Sequence, residues 1–277
     1  MKTKIIYREP VNGRDRFLIS TAYQKTKHLR RSLENCGDMY VDRLYAGCVE
    51  NGEAGEIASA CRETGLEYIF ALKAPGADVS VISVPKACAP EKLRRDVFSA
   101  VLCGAREVEY DSLLDELVVW NTEPEPLFHY IQDMNYRLVQ YGRTLMALQC
   151  TGIYCAADTA KRYPAFAERR CEIGRSGILA DQDLPEGLVI GEFADKENNR
   201  YLLYQNVNCE DKRAKSFKIK LARAFRAYRV NPHNGKQVLV KNKMSEQGIL
   251  IMPGDGDLLR YQPAEEEPFL IEYALKK

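Results

Sequence analysis

The chain has 277 residues, 45% of them hydrophobic and 29% charged, which is a globular composition with enough chain for one large or two ordinary domains. Lys+Arg total 40 against Asp+Glu 39; with no basic stripe, the charge pattern excludes a nucleic-acid footprint. No apolar run approaches the ~20 residues needed to span a bilayer. The start, KTKIIYREP, lacks the apolar core of a signal peptide, so a cytoplasmic location is expected.

In chain order, residues 17–20 (FLIS) form a short apolar run and predict a strand. Residues 23–35 carry Leu29 and Leu33 at helical spacing, with Gly37 as the stop. Residues 39–45 (MYVDRLY) read as the next strand, 53–64 as an amphipathic helix closed by Gly65, and 68–72 (YIFAL) as a third strand. A long loop bearing Pro and Gly follows, up to Ala89. Pro90 then sits at a first helical position with Glu91 in the first turn, where the helix dipole favours an anion. Leu93, Val97, Ala100 and Val101 repeat as one buried helical face; Gly104 ends the helix, and a strand runs over 106–110. Strand and helix alternate throughout, the pattern of parallel βαβ units. The expectation is one parallel sheet with its strands in chain order and with 17–20 and 106–110 at its edges.

The longest helix is predicted over 125–148, with Leu127, Ile131, Met134, Leu138, Leu145 and Leu148 as its buried stripe. From Gly152 the pattern changes. Residues 158–183 are polar and irregular. Short alternating runs follow at 188–193, 201–206, 217–221, 227–230, 238–240, 248–252, 258–261 and 269–273. Asn198-Asn199, Asn234-Gly235 and Asp255-Gly256 are hairpin-turn material between them. Short strands at this spacing predict an antiparallel β-sandwich.

Several of these stretches carry a resemblance. LRRDVFSAVLCGAREVEYDSL looks like the closing helix and strand of the (β/α)8 barrel in β-galactosidase-like glycoside hydrolases. CGDMYVDRLYAG and LEYIFALKAP are similar to earlier strands of that barrel, and EPEPLFHYIQDMNYRLVQYGRTLMALQ to the long helix after it. GLVIGEFADKENNRYLLYQNVN and ILIMPGDGDLLRY look like the C-terminal β-domain of the same enzymes. The fold this implies is a partial, half (β/α)8 barrel with parallel strands over 1–150, followed by an antiparallel β-sandwich over 151–277. The first four barrel strands have no counterpart, so the family's acid/base carboxylate is missing. Where its glutamate nucleophile would fall, near Leu72-Lys73-Ala74, no carboxylate stands.

Barrel function sits at the carboxyl ends of strands. There the sequence offers Asp42 and Asp111 as weak catalytic candidates, and Tyr45, Lys73, Tyr110 and Trp120 as sugar-binding ones, since aromatic faces and polar groups suit a saccharide. Each has a bland alternative: Asp42 in a surface ion pair, Asp111 capping a turn, Lys73 solvated, and Trp120 packed under the long helix. Glu107, Glu109, Asp115 and Glu116 read as a solvated acidic face. His28, His129 and His233 lie far apart, and nine cysteines without a C-x-x-C spacing read as reduced thiols, so neither a metal nor a cofactor is expected. Gly254-Asp255-Gly256 reads as a turn, because no helix follows it as in a phosphate loop.

Two functions follow. One is a glycoside-hydrolase-like protein acting on or binding carbohydrate, hydrolytic only if the missing barrel half is supplied. The other is a non-catalytic carbohydrate-binding or structural module that has lost the carboxylates. A homodimer covering the open half-barrel is the expected protein partner.

Overall fold

The structure is a computed structural model that describes residues 18–22, 29–45, 51–69, 79–82, 89–110 and 126–264. Its first part alternates strand and helix: β1 (Leu18–Ala22), α1 (Leu29–Asp38), β2 (Arg43–Tyr45), α2 (Asn51–Thr64), β3 (Glu67–Ile69), β4 (Val79–Ile82), α3 (Pro90–Leu102), β5 (Glu107–Tyr110) and α4 (Pro126–Ala147). α2 closes on Gly65 (φ 77°) and α3 on Gly104 (φ 91°), as their sequences indicate. α1 does not stop at Gly37. The left-handed residue is Tyr40 (φ 65°), and the Val41 amide returns to the Cys36 carbonyl at 3.0 Å. The Tyr40 ring packs 5.3 Å from that of Tyr136 on α4, a contact that offsets the cost of a positive φ in a residue with a β-carbon.

Every described pairing among the first five strands is parallel. Their order is β3-β2-β1-β5-β4, not the chain order expected from the sequence. β4 lies inside the stretch read as a loop, too short to show a period of its own. β5 pairs with β1, so these two, expected as edges, are with β2 the three inner strands of an open five-stranded sheet. The order is the chain order read around a ring that is cut between β3 and β4. Right-handed crossovers then place α1, α2 and α3 on one face. α4 joins that face: the Tyr110 hydroxyl donates to Asn135 Oδ1 at 2.7 Å, and Asn135 Nδ2 donates to the Met39 carbonyl at 2.8 Å. Ile19, Leu44 and Val108 belong to the same buried cluster as Leu33, Ile57, Val97 and Ile131 of the four helices.

The second part is a six-stranded antiparallel sheet in the order β10-β9-β11-β8-β7-β6. It comprises β6 (Gln149–Cys155), β7 (Leu188–Ala194), β8 (Arg200–Asn206), β9 (Lys215–Val230), β10 (Gln237–Ile251) and β11 (Gly256–Pro263). Four expected short strands merge into the two long ones, β9 and β10. Register shifts near Lys241 and Met244 let this hairpin bend, so its far half folds over the sheet. Asn198 (φ 63°) and Gly235 (φ 67°) make the turns expected at those positions.

Alternation along β8 shows how the layers close. Tyr201 and Leu203 join the cluster shared with the helices, whereas Leu202 and Tyr204 join a second cluster with Phe217, Ile219 and Ile249 of the hairpin. The sheet is therefore covered on one face by α3 and α4 and on the other by its own hairpin. The polar stretch 158–183 is not spare chain. Phe166, Ile178 and Leu179 are buried, and Leu179 bridges Leu221 on β9. Between the two parts, Gln205 Nε2 donates to the Arg95 carbonyl at 2.7 Å, Ser99 Oγ donates to Gln205 Oε1 at 3.1 Å, and Arg137 pairs with Asp255 at 2.7 Å. Among the described residues no helix is long and apolar enough to cross a membrane.

The tyrosines of these cores set an alkaline limit. Tyr204 and Tyr261 share a hydrogen bond of 2.7 Å, and burial pushes both phenols up; burial likewise pushes Tyr141 up to about 12. An unfolded tyrosine ionises near ~10. Above that value the unfolded chain has lost protons that the native chain keeps, so stability falls as pH rises from about 10 toward 12. Absorbance titration is expected to show tyrosinate in two stages, the second coincident with unfolding. A single stage with the native fold intact would contradict it.

Candidate functional site

Asp42 directly precedes β2, at the amino end of the strand rather than the carboxyl end where barrel chemistry sits. It is buried, and its Oδ2 accepts the Ile19 amide at 3.2 Å while its own amide donates to the Ile19 carbonyl at 2.7 Å. Asp42 thus stitches β1 to β2. Its carboxylate is buried, not on the surface where the bland reading of its sequence puts it. Tyr110 does end its strand at the carboxyl side, but its ring is fully buried toward α4 and its hydroxyl is taken by Asn135. Burial pushes that phenol well above the ordinary tyrosine value. Tyr45 is the last residue of β2, in register with Ala22 and Ile69. Lys73, Asp111 and Trp120 lie outside the described residues. Asp42 and Tyr110 therefore stand at opposite ends of two strands, β2 and β5, that β1 separates, and are not brought together.

Two other carboxylates take a position that the acidic-face reading missed. Glu107 and Glu109 on β5 are 6% and 8% exposed, so they are not solvated. They alternate with Val108 and Tyr110, which face the helices; strand alternation turns the glutamates to the face opposite these helices. Glu109 is in register with Ser20 and Val81, and Glu107 with Leu18 and Val79. The sequence signal for this was the strict alternation E-V-E-Y on a strand expected to be parallel, since parallel strands are covered on both faces. Residues two apart on a strand have Cα atoms about 6.6 Å apart. Inverting glycosidases use carboxyl groups ~6.5–9.5 Å apart. The spacing along β5 is thus compatible with a carboxylate pair, whereas the burial opposes access. That burial also exists in a single chain, so over β5 no second copy is needed to cover the sheet, and the motive for a covering dimer is lost there.

Nothing else described assembles into reactive chemistry. Among the described residues no group of three or more His, Cys, Asp or Glu could hold a metal ion. All seven described cysteines are unbridged thiols. Cys36 and Cys61 face each other between α1 and α2, where burial pushes Cys61 up to about 11 and Cys36 higher still. They are protonated packing residues, not nucleophiles.

No family model matches the chain, and no curated protein matches it. Solved structures do align with it, at low similarity. A GH27 β-L-arabinopyranosidase from Geobacillus stearothermophilus is 9% identical over 87% of this chain and 63% of its own, with a TM-score of 0.36. A GH30 endoxylanase from Clostridium papyrosolvens is 9% identical over 81% of this chain and 49% of its own, with a TM-score of 0.33. A protein from Bacillus halodurans assigned to the α-N-acetylgalactosaminidases is 9% identical over 83% of this chain and 61% of its own, with a TM-score of 0.34. The chain thus spans between about half and two thirds of each of these proteins.

Proposed function

We propose that the chain is a carbohydrate-binding module of glycoside-hydrolase-like layout that does not cleave glycosidic bonds by itself. The layout in support is a set of parallel strands flanked by helices, followed by an antiparallel β-domain, with the β-galactosidase-like stretches in the matching order. One observation carries the non-hydrolytic half of the reading. The three carboxylates described on or beside the inner parallel strands, Asp42, Glu107 and Glu109, are all buried. A glycosidase needs one carboxyl group to protonate the departing oxygen and a second to attack the sugar or activate water, both within reach of the bond.

Nitrophenyl β-galactopyranoside tests this directly. Release of nitrophenol is expected to stay at the buffer background with the full chain and with Glu107→Gln and Glu109→Gln alike. The rival reading, an inverting hydrolase built on β5, rests on the spacing of the two glutamates. It requires turnover that falls by about 100-fold or more in Glu109→Gln, in line with the loss of a general acid or base. That result would overturn the proposal.

A further inference from the structure

The β-domain contains a cavity of about 520 Å³ whose lining includes Arg170, Ile173, Asp181, Gln182, Asp183 and Leu184. Its size lies within the ~300–1,000 Å³ range of small-molecule sites. It is also a built feature. β6 ends at Cys155; the chain then makes two short helices, α5 (Ala157–Arg162) and α6 (Pro164–Ala167), and returns so that Arg170 bridges Ile153. The Cys171 amide donates to the Ile153 carbonyl at 2.7 Å, and Arg170 Nε donates to the Cys155 carbonyl at 2.8 Å, which anchors the guanidinium at the rim.

The facing wall is pinned as firmly. The Gln182 carboxamide forms a backbone-like pair with Lys220 on β9, donating to its carbonyl at 2.7 Å and accepting its amide at 2.9 Å. The Ala180 amide donates to the same carbonyl at 3.1 Å. Asp181 and Asp183 flank this anchored residue, and both are exposed. Ser176 Oγ accepts the amides of Ile178 and Leu179 and donates to buried Glu192 at 2.6 Å, so the loop below is held too. Ile173 and Leu184, half-buried, rest on the second core and give the cavity an apolar wall.

Two carboxylates that accept hydroxyl protons, a guanidinium that donates to hydroxyl oxygens, and an apolar wall for a C–H face together suit a pyranose with vicinal hydroxyls. Two negative groups against one positive disfavour an anionic ligand. We infer that this cavity is a binding site for a neutral saccharide, separate from the parallel sheet. The choice of ligand class rests on the carbohydrate-binding reading above; the location does not.

Affinity electrophoresis of the full chain through gels containing galactan, xylan, hydroxyethylcellulose or polygalacturonate tests it. Retardation is expected in at least one neutral polymer and not in polygalacturonate. The double variant Asp181→Ala/Asp183→Ala removes only exposed side chains, and its fold can be verified by an unchanged thermal midpoint. It is expected to lose about tenfold or more in affinity, as for the loss of charge-assisted hydrogen bonds. Retardation equal in wild type and variant would overturn the location while leaving the carbohydrate reading standing. Retardation by polygalacturonate alone would overturn the neutral class. Absence of retardation in every gel would overturn the location and the reading together.

Discussion

Gly254→Ala should destabilise the protein by about 3–4 kcal/mol, combining a left-handed backbone with overpacking. The residue has φ 72°, a conformation costly for any side chain. A β-carbon there would overlap the Glu91 carbonyl and lie 2.9 Å from the Arg95 amide, both in the first turns of α3. The obstacle is helix backbone, which cannot swing aside as a side chain could. The Gly254 amide is also committed, donating to the Asn206 carbonyl at 2.7 Å. The turn between β10 and β11 is therefore fitted to the helix that covers the sheet, and an added methyl group would push the two layers apart. For a chain of this size the thermal midpoint should fall by roughly 6–15 °C. A midpoint within ~1 °C of wild type would show that the layers do not meet as described.

Asp255→Ala is the second large effect, expected at about 3 kcal/mol, in the range for removing one partner of a buried ion pair. Asp255 Oδ1 accepts from Arg137 Nη1 at 2.7 Å and from the Gly256 amide at 2.8 Å, and Arg94 stands 4.0 Å from its other oxygen. Arg137 and Asp255 have side chains only 12% and 16% exposed. Arg137 also donates to the Gly256 carbonyl at 3.0 Å and lies over the Phe98 ring at 5.4 Å. Without Asp255 this guanidinium stays in place without its directly paired counter-ion. The double variant Arg137→Met/Asp255→Ala should therefore be clearly more stable than the sum of the single losses predicts. Urea midpoints of the four proteins give the cycle, and strict additivity would contradict a direct pair.

Much of the architecture was legible because it rests on local rules. Pro90, Glu91 and Gly104 bracket α3, and Gly65 closes α2, since caps and positive-φ glycines act within a few residues. The parallel pairing followed from strand–helix alternation. The strand order did not. β4 is four residues long, and the pairing of β5 with β1 joins segments nearly ninety positions apart, which no local pattern encodes. The merging of 217–221 with 227–230 into β9 was hidden for a similar reason, because the bend is set by register shifts on its partner β10.

The site divides in the same way. Asp42 and Tyr110 could be singled out as strand-end residues, yet whether such a side chain faces solvent or core depends on its neighbours. Those neighbours are Ile19 for the first and Asn135 for the second. Glu107 and Glu109 were legible as an alternation and misread as a charge cluster. The cavity at Arg170, Asp181 and Asp183 lies in a stretch with no periodicity, where only tertiary pairing with Lys220 gives the chain a shape.

The claim that the chain binds carbohydrate without cleaving it is tested most directly by calorimetric titration with soluble galactan and xylan, with reducing ends assayed in the same samples. A binding isotherm with at least one of these neutral polymers is expected, with no reducing ends above the protein-free control after prolonged incubation. Reducing ends that accumulate in proportion to protein concentration, and that vanish with Glu109→Gln, would contradict it.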